Sequence, residues 1–221
     1  MSSNPSIKQH TSYYPSTKSI KFVGTTLHNK YHGSDCKFYN ENHRLVYRGS
    51  YSHGLPNGLG ERFYPNGATS HKGTFKNGVL HGTNCWEFRE DTTVKYSGDF
   101  QDGLYSGKGK KFFPNSKVQY EGTFSNGLIS GLNCIENRSI GTLRYFGDFK
   151  DNDWEGNGIY YYENCAKKYE GTFKKNLLDG PNCIIYNQRG KIIYKGEMVI
   201  GKEDGQGVKY LEDGKTKKYE G

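Results

Sequence analysis

Four cysteines, Cys36, Cys85, Cys134 and Cys183, recur at intervals of 49 residues. Thiols at regular spacing invite two chemistries, disulfide pairing and zinc ligation, and both require the sulfurs to converge. If the interval is a structural period of four strands, spaced about 4.8 Å, successive thiols stand roughly 19 Å apart. A disulfide needs Cα atoms within about 7 Å. A regular array therefore excludes pairing among these four and a shared zinc site, and leaves four equivalent, partly buried thiols. Cys165 is out of phase and reads as a lone exposed thiol.

The other reactive side chains give no constellation. Gly107-Lys108-Gly109 has the look of a phosphate loop, but the full Gly-x-x-x-x-Gly-Lys-Ser/Thr pattern is absent. His28 and His32 lie four apart, a spacing that makes a shared ligand face on a helix and not on a strand and turn. Asp99, Glu121, Asp148 and Glu170 recur beside a repeated glycine, which makes them decoration of a sheet surface before it makes them general acids. Asn137-Arg138-Ser139 spells a glycosylation sequon by accident of the repeat. The expectation is a chain that is not an enzyme and takes no cofactor or metal.

Recurrence itself is the stronger signal, and it dictates the elements. A Tyr-x-Gly tripeptide or a near variant starts a unit at Phe22, Tyr47, His71, Tyr96, Tyr120, Tyr145, Tyr169, Tyr194 and Tyr219, and a glycine follows each start by two residues. Two residues later comes a large side chain, Tyr51, Phe75, Phe100, Phe124, Phe149, Phe173 or Met198; Thr26 departs, so the first unit is degenerate, as a cap would be. Alternation with period two, a glycine-rich turn and a second short run predict two strands per unit, a hairpin. The turn slot holds Gly54, Gly78, Gly103, Gly127 and Gly201, or Asn29, Asn152 and Asn176, residues that tolerate positive φ. Pro65-Asn66-Gly67, Pro114-Asn115-Ser116 and Glu212-Asp213-Gly214 turn the chain into the next unit.

Alternate units differ at one place. One set carries Gly-x-Gly, as in Gly58 and Gly60, and the other carries Asp35, Asn84, Asn133 or Asn182 just before the periodic cysteine. Because Asn and Asp also enter the left-handed region, the slot is expected to have one conformation in both sets. The chain then reads as about eight units of 24 to 25 residues in four 49-residue double repeats. These occupy residues 22–221, after a polar extension at 1–21 that either caps the first strand or stays disordered.

With this grammar in place, Tyr96 through Gly109 resembles the MORN (membrane occupation and recognition nexus) repeat, Tyr-x-Gly-x-Phe-x-x-Gly-x-x-x-Gly-x-Gly, and the resemblance runs from residue 22 to the end. His32-Gly33 and His81-Gly82 match a frequent step of that family. The resemblance implies an all-β fold, an elongated single-layer antiparallel sheet to which each repeat adds one hairpin. It also implies one of three roles. The first is a non-catalytic scaffold for protein–protein assembly in a cytoskeletal or ciliary structure, with cytoskeletal or ciliary proteins as partners. The second is a docking module for phospholipid membranes. The third is the targeting segment of a longer lipid-kinase or SET-type methyltransferase protein, since residue 221 falls inside a ninth unit.

Composition agrees with a thin fold: 33% hydrophobic residues, 19 tyrosines and 12 phenylalanines, and a mean hydropathy of -0.91. A thick aliphatic core is out of reach, so one repeat should not fold alone and neighbours must stabilise one another. The net charge of +8 sits at the two ends. Residues 1–46 and 167–221 each carry an excess of four basic residues, and 47–166 are balanced. Lys8, Lys18, Lys21, Lys215, Lys217 and Lys218 are therefore candidate contacts for an anionic membrane surface or an acidic protein, and the outer strands at Phe22 and Tyr219 are candidate edges for self-association. No base-reading motif accompanies the charge, so nucleic acid is not an expected partner. Five cysteines without a disulfide framework, a polar start and no apolar stretch of spanning length place the expected chain in the cytoplasm, and the MORN resemblance implies association with cytoskeleton or cilium.

Overall fold

The computed structural model describes residues 6–221, which form 22 strands in one open antiparallel sheet, with no helix among the described residues. The chain divides into two compact units after Gly107. The first holds β1 (Lys8–Tyr13), β2 (Ile20–Leu27), β3 (Lys30–Tyr31), β4 (Gly33–Tyr39), β5 (Leu45–Ser52), β6 (Leu55–Phe63), β7 (Thr69–Lys76), β8 (Val79–Leu80), β9 (Gly82–Phe88) and β10 (Val94–Gln101). The division falls within β11 (Leu104–Phe112). The second unit holds β12 (Val118–Ser125), β13 (Leu128–Ile129), β14 (Gly131–Asn137), β15 (Leu143–Lys150), β16 (Asp153–Tyr161), β17 (Lys167–Lys174), β18 (Leu177–Leu178), β19 (Gly180–Tyr186), β20 (Ile192–Val199), β21 (Lys202–Tyr210) and β22 (Lys217–Glu220).

The hairpin turns follow from the Gly/Asn slot. In β5–β6 the pair Ser52 and Leu55 closes on His53 (φ 53°) and Gly54 (φ 90°). Two consecutive residues in the left-handed region make a type I′ turn, whose twist suits antiparallel strands. Each turn is also tied to the unit before it: Gly54 N–H donates to the Tyr31 carbonyl and Gly78 N–H to that of Pro56, both at 2.9 Å. The turns that join successive repeats form a second ladder. Asn66 Nδ2 donates to the Glu90 carbonyl at 3.1 Å, and Asn115, Asn164 and Asn187 repeat the contact with Ser139, Gln188 and Glu212.

The two sets of units differ more than the sequence suggested. Gly60, Gly158 and Gly207 do not adopt positive φ, and of the four residues before the periodic cysteines Asn84 (φ 54°) and Asn133 (φ 53°) do while Asp35 and Asn182 do not. The expectation of a shared conformation is therefore corrected. The structural counterpart of Gly60, which pairs with Gly49, is Cys36, which also pairs with Gly49 from the other side, or Cys85, which pairs with Gly98. The residue before the cysteine is an insertion, and the ladder records it as a register shift between Gly33 and Cys36 and between Gly131 and Cys134. The bulge lies within β9, which runs through Asn84, whereas β8 and β9 part earlier, at His81; β6 and β16 run unbroken.

One face of each unit buries the tyrosines and phenylalanines of the repeat. Tyr145 is fully buried, stacked on Trp154 at 4.5 Å and edge-on to Phe149 and Phe173, both at 5.2 Å. A carboxylate completes this cluster. Glu136, 6% exposed, accepts hydrogen bonds from Trp154 Nε1 at 2.9 Å and from Arg144 at 2.7 Å. Replacing Glu136 with Ala leaves the indole N–H and a guanidinium without their acceptor, so urea denaturation should show a loss of about 2 to 3 kcal/mol. Glu136→Gln keeps an acceptor and should lose less.

Candidate interaction surfaces

A reactive centre would need titratable groups brought together in a cleft. Among the described residues no group of three or more His, Cys, Asp or Glu is placed to hold a metal ion. The five cysteines are free thiols, four of them buried and Cys165 exposed. Burial pushes the thiols of Cys36, Cys85, Cys134 and Cys183 up from their ordinary range, which keeps them protonated and weakly nucleophilic. Their role is steric: each packs on a glycine of the neighbouring strand, and a Cβ added to Gly73 would stand 2.5 Å from the Cys85 sulfur. His28 and His32 are not paired with each other. The His32 ring meets His53 edge-on at 6.3 Å, and His28 occupies a turn with φ 50°. Of the acids, Asp99 and Asp148 lie next to the turn-side glycines Gly107 and Gly156, and a Cβ on either glycine would meet the carboxylate.

The charged ends are partly as expected. Lys8 lies on β1 and Lys18 in the following turn, both exposed, and the Lys21 ammonium sits 5.5 Å from the ring of Tyr14. Lys215, Lys217 and Lys218 are exposed within four residues of one another, with Lys217 paired to Glu220 at 2.8 Å. The Asp213 carboxylate accepts from the N–H groups of Lys215 and Thr216 and from the Thr216 hydroxyl, which holds its carboxyl down at about 2 and fixes the turn before these lysines. Tyr219 lies on β22, 60% exposed.

Phe22 is a correction. β1 pairs with β2 from Lys8 opposite Thr26 to Tyr13 opposite Ile20, so Phe22 is not on an outer strand. Its ring is fully buried, stacked on Tyr31 at 3.7 Å and edge-on to Tyr51 at 5.6 Å, and offers nothing to a partner. Residues 8–13 thus extend the sheet; positions 1–5 of the expected extension lie outside the described residues.

The face opposite the tyrosines was not singled out by sequence reasoning, and the ladder shows how it is organised. In the first unit Arg48 faces Glu61 and Glu61 faces Lys72 across neighbouring strands, ion-paired at 2.5 and 3.0 Å. In the second unit the corresponding row runs Ile135, Phe146, Ile159, with Glu121 and Glu170 at its ends. Directly opposed residues share a sheet face, so these side chains stand side by side.

The comparison with known families rests on the same periodicity. The family model of the MORN repeat matches residues 47–69, 71–83, 96–118, 120–132, 145–164, 169–181 and 194–216, seven repeats in all. The degenerate unit at 22–46 lies outside these matches, although β2, β3 and β4 reproduce the strand pattern of its cysteine-bearing neighbours. No curated protein matches the chain. No helix among the described residues is long and apolar enough to cross a membrane. Seven matched repeats in phase with the hairpins, turns and glycine contacts of the sheet make this chain a member of the MORN repeat family.

Proposed function

We propose that the chain is a non-catalytic scaffold that assembles other proteins, in a cytoskeletal or ciliary setting. The observation that carries this reading is the surface left over once the repeats have packed. The buried tyrosines of the repeat, the four periodic cysteines and the glycines they pack on are consumed within the sheet, while the opposite face presents rows that differ between the two units, ion-paired in one and apolar in the other. An array of this kind displays different side chains on one backbone and brings no reactive groups together. Self-association by strand pairing at β1 or β22 is a further route to assembly.

Affinity capture of the intact native protein followed by mass spectrometry should return a stable set of filament- or cilium-associated proteins. Recovery of none, with the tagged protein diffuse in cells, would count against the scaffold. The exposed lysines at 8, 18, 215, 217 and 218 favour a second reading, docking on anionic lipid. Sedimentation with phosphatidylserine vesicles at low and physiological salt distinguishes the two, since a scaffold stays in the supernatant at physiological salt.

A further inference from the structure

We infer that the outward face of the second unit is a docking site for an amphipathic α-helix with a basic flank, supplied by a partner protein. The inference rests on the scaffold reading above and names the surface and the kind of partner. Ile135 stands opposite Phe146, and Phe146 opposite Ile159, a stripe running across three adjacent strands. Phe146 is 37% exposed, and Leu132, nearby on β14, is 74% exposed. Beneath the stripe is a shallow cleft of about 300 Å³ floored by Gly147, Gly158 and Gly171. The same row in the first unit carries charge at each step from Arg48 to Lys72, so an apolar stripe is not a demand of the fold.

Beside the stripe, toward the hairpin turns, an open groove of about 720 Å³ is lined by Leu132 and by three carboxylates, Asp148, Glu155 and Asp179. Each carboxylate accepts from backbone N–H groups: Asp148 from Asn133 and Asn157, Glu155 from Lys175, and Asp179 from Ile200. These bonds hold the carboxylates in place and leave their charge uncancelled; among the described residues none of the three has a cation within ion-pair distance. Lys150 and Lys174 also line the groove, so its net charge is negative in a chain that is positive overall.

Geometry selects a helix. The backbone groups of these strands are already paired within the ladder, so the face offers side chains only and cannot add a strand. Side chains in the stripe are spaced about 4.8 Å, and the apolar stripe of a helix advances about 5.3 Å per step, so a helix laid across the strands meshes with it over two turns. A second copy of this chain has no helix among its described residues to supply. With three carboxylates against two lysines, the groove offers an anionic membrane no net attraction. What remains is a partner helix with apolar residues on the stripe and Lys or Arg toward the carboxylates.

The test is panning of two displayed libraries of helical peptides against the whole chain, with identical apolar stripes and either Lys/Arg or Asp/Glu flanks. Basic-flanked binders should be enriched, and Phe146→Asp should weaken them at least about tenfold, as for a central apolar anchor. Glu155→Gln combined with Asp179→Asn should weaken binding several-fold and flatten its salt dependence. Circular dichroism confirms that each variant is folded; if Phe146→Asp is not, Leu132→Asp at the more exposed position takes its place. No enrichment, enrichment of acidic flanks, or binding indifferent to both the apolar and the charge substitutions would overturn the proposal. So would a self-association or vesicle binding of the native chain that Phe146→Asp abolishes. Failure here is separable from failure of the scaffold reading: native partners captured equally by wild type and Phe146→Asp refute this face alone.

Discussion

Raising the pH through the range just above 10 should unfold the protein cooperatively, with tyrosine ionisation and loss of β structure in one step. Tyr47, Tyr51, Tyr96 and Tyr145 are all buried, and burial pushes their phenols up, that of Tyr47 to about 12 and the other three further. Arg62 partly offsets the shift at Tyr47, and Asp99 and Asp148 add to it at Tyr96 and Tyr145. The sign follows from the protons bound in each state. Below pH 10 the phenols are neutral in both states and the contribution is fully present. Above it the unfolded chain releases its protons while the folded chain retains them, so each added pH unit favours unfolding.

The magnitude is large because the repeat multiplies it. Each such phenol contributes about 1.4 kcal/mol per pH unit once the unfolded form titrates, so the four together shift the balance by about 5 to 6 kcal/mol per unit. Against a domain stability of about 5 to 15 kcal/mol, the folded state is exhausted within about one to three units. Tyrosinate absorbance should therefore rise steeply together with the collapse of the circular dichroism signal, later and more sharply than in a denatured control. Tyr47→Phe should reduce the steepness by one proton. A broad titration of all tyrosines near pH 10, with the β signal intact, would contradict the packing described for these rings.

The parts of this fold that could be read in advance are those fixed by local backbone demands. The Gly/Asn turn slots are left-handed where expected, from Asn29 at φ 60° to Gly201 at φ 74°, because a two-residue turn admits little else. The tyrosines could be placed by their period. What escaped notice depends on counting across strands. The insertion at Asn84 or Asn133 changes which residue faces which, and Asn there looks like a replacement for glycine until the ladder shows Cys85 opposite Gly98. Ile135, Phe146 and Ile159 are 11 and 13 residues apart, an unequal spacing that matches no simple repeat; only paired strands bring them into line. Glu136 escaped for a related reason. Its partners Arg144 and Trp154 sit on the next two strands, and a carboxylate in a strand reads as surface until an indole N–H is found pointing at it.

Gly158→Ala should be among the most damaging single-methyl additions to the second unit, at about 3 kcal/mol or more. The reason is steric, since Gly158 has no positive φ to defend. It pairs with Gly147 on one side and Gly171 on the other, and the ring of Tyr145 lies across it. An alanine Cβ would stand 2.6 Å from Tyr145 Cε2 and closer still to Cζ and the hydroxyl. The ring has nowhere to go, because Trp154 is stacked on it at 4.5 Å and Phe173 and Phe149 abut it edge-on. Gly67→Ala provides the contrast. It has φ 87° but no atom within 4 Å of the added methyl, so only the backbone preference is lost, about 1 kcal/mol. Urea denaturation of the two variants should differ by at least about twofold in stability lost. Adding Tyr145→Phe to Gly158→Ala should recover part of the loss, because the hydroxyl is the nearest atom to the new methyl, whereas the same change in the wild-type background removes only the weak 3.3 Å bond to the Asp148 carbonyl. Equal losses at positions 67 and 158 would mean that the glycine column is kept for its backbone and not to seat the rings.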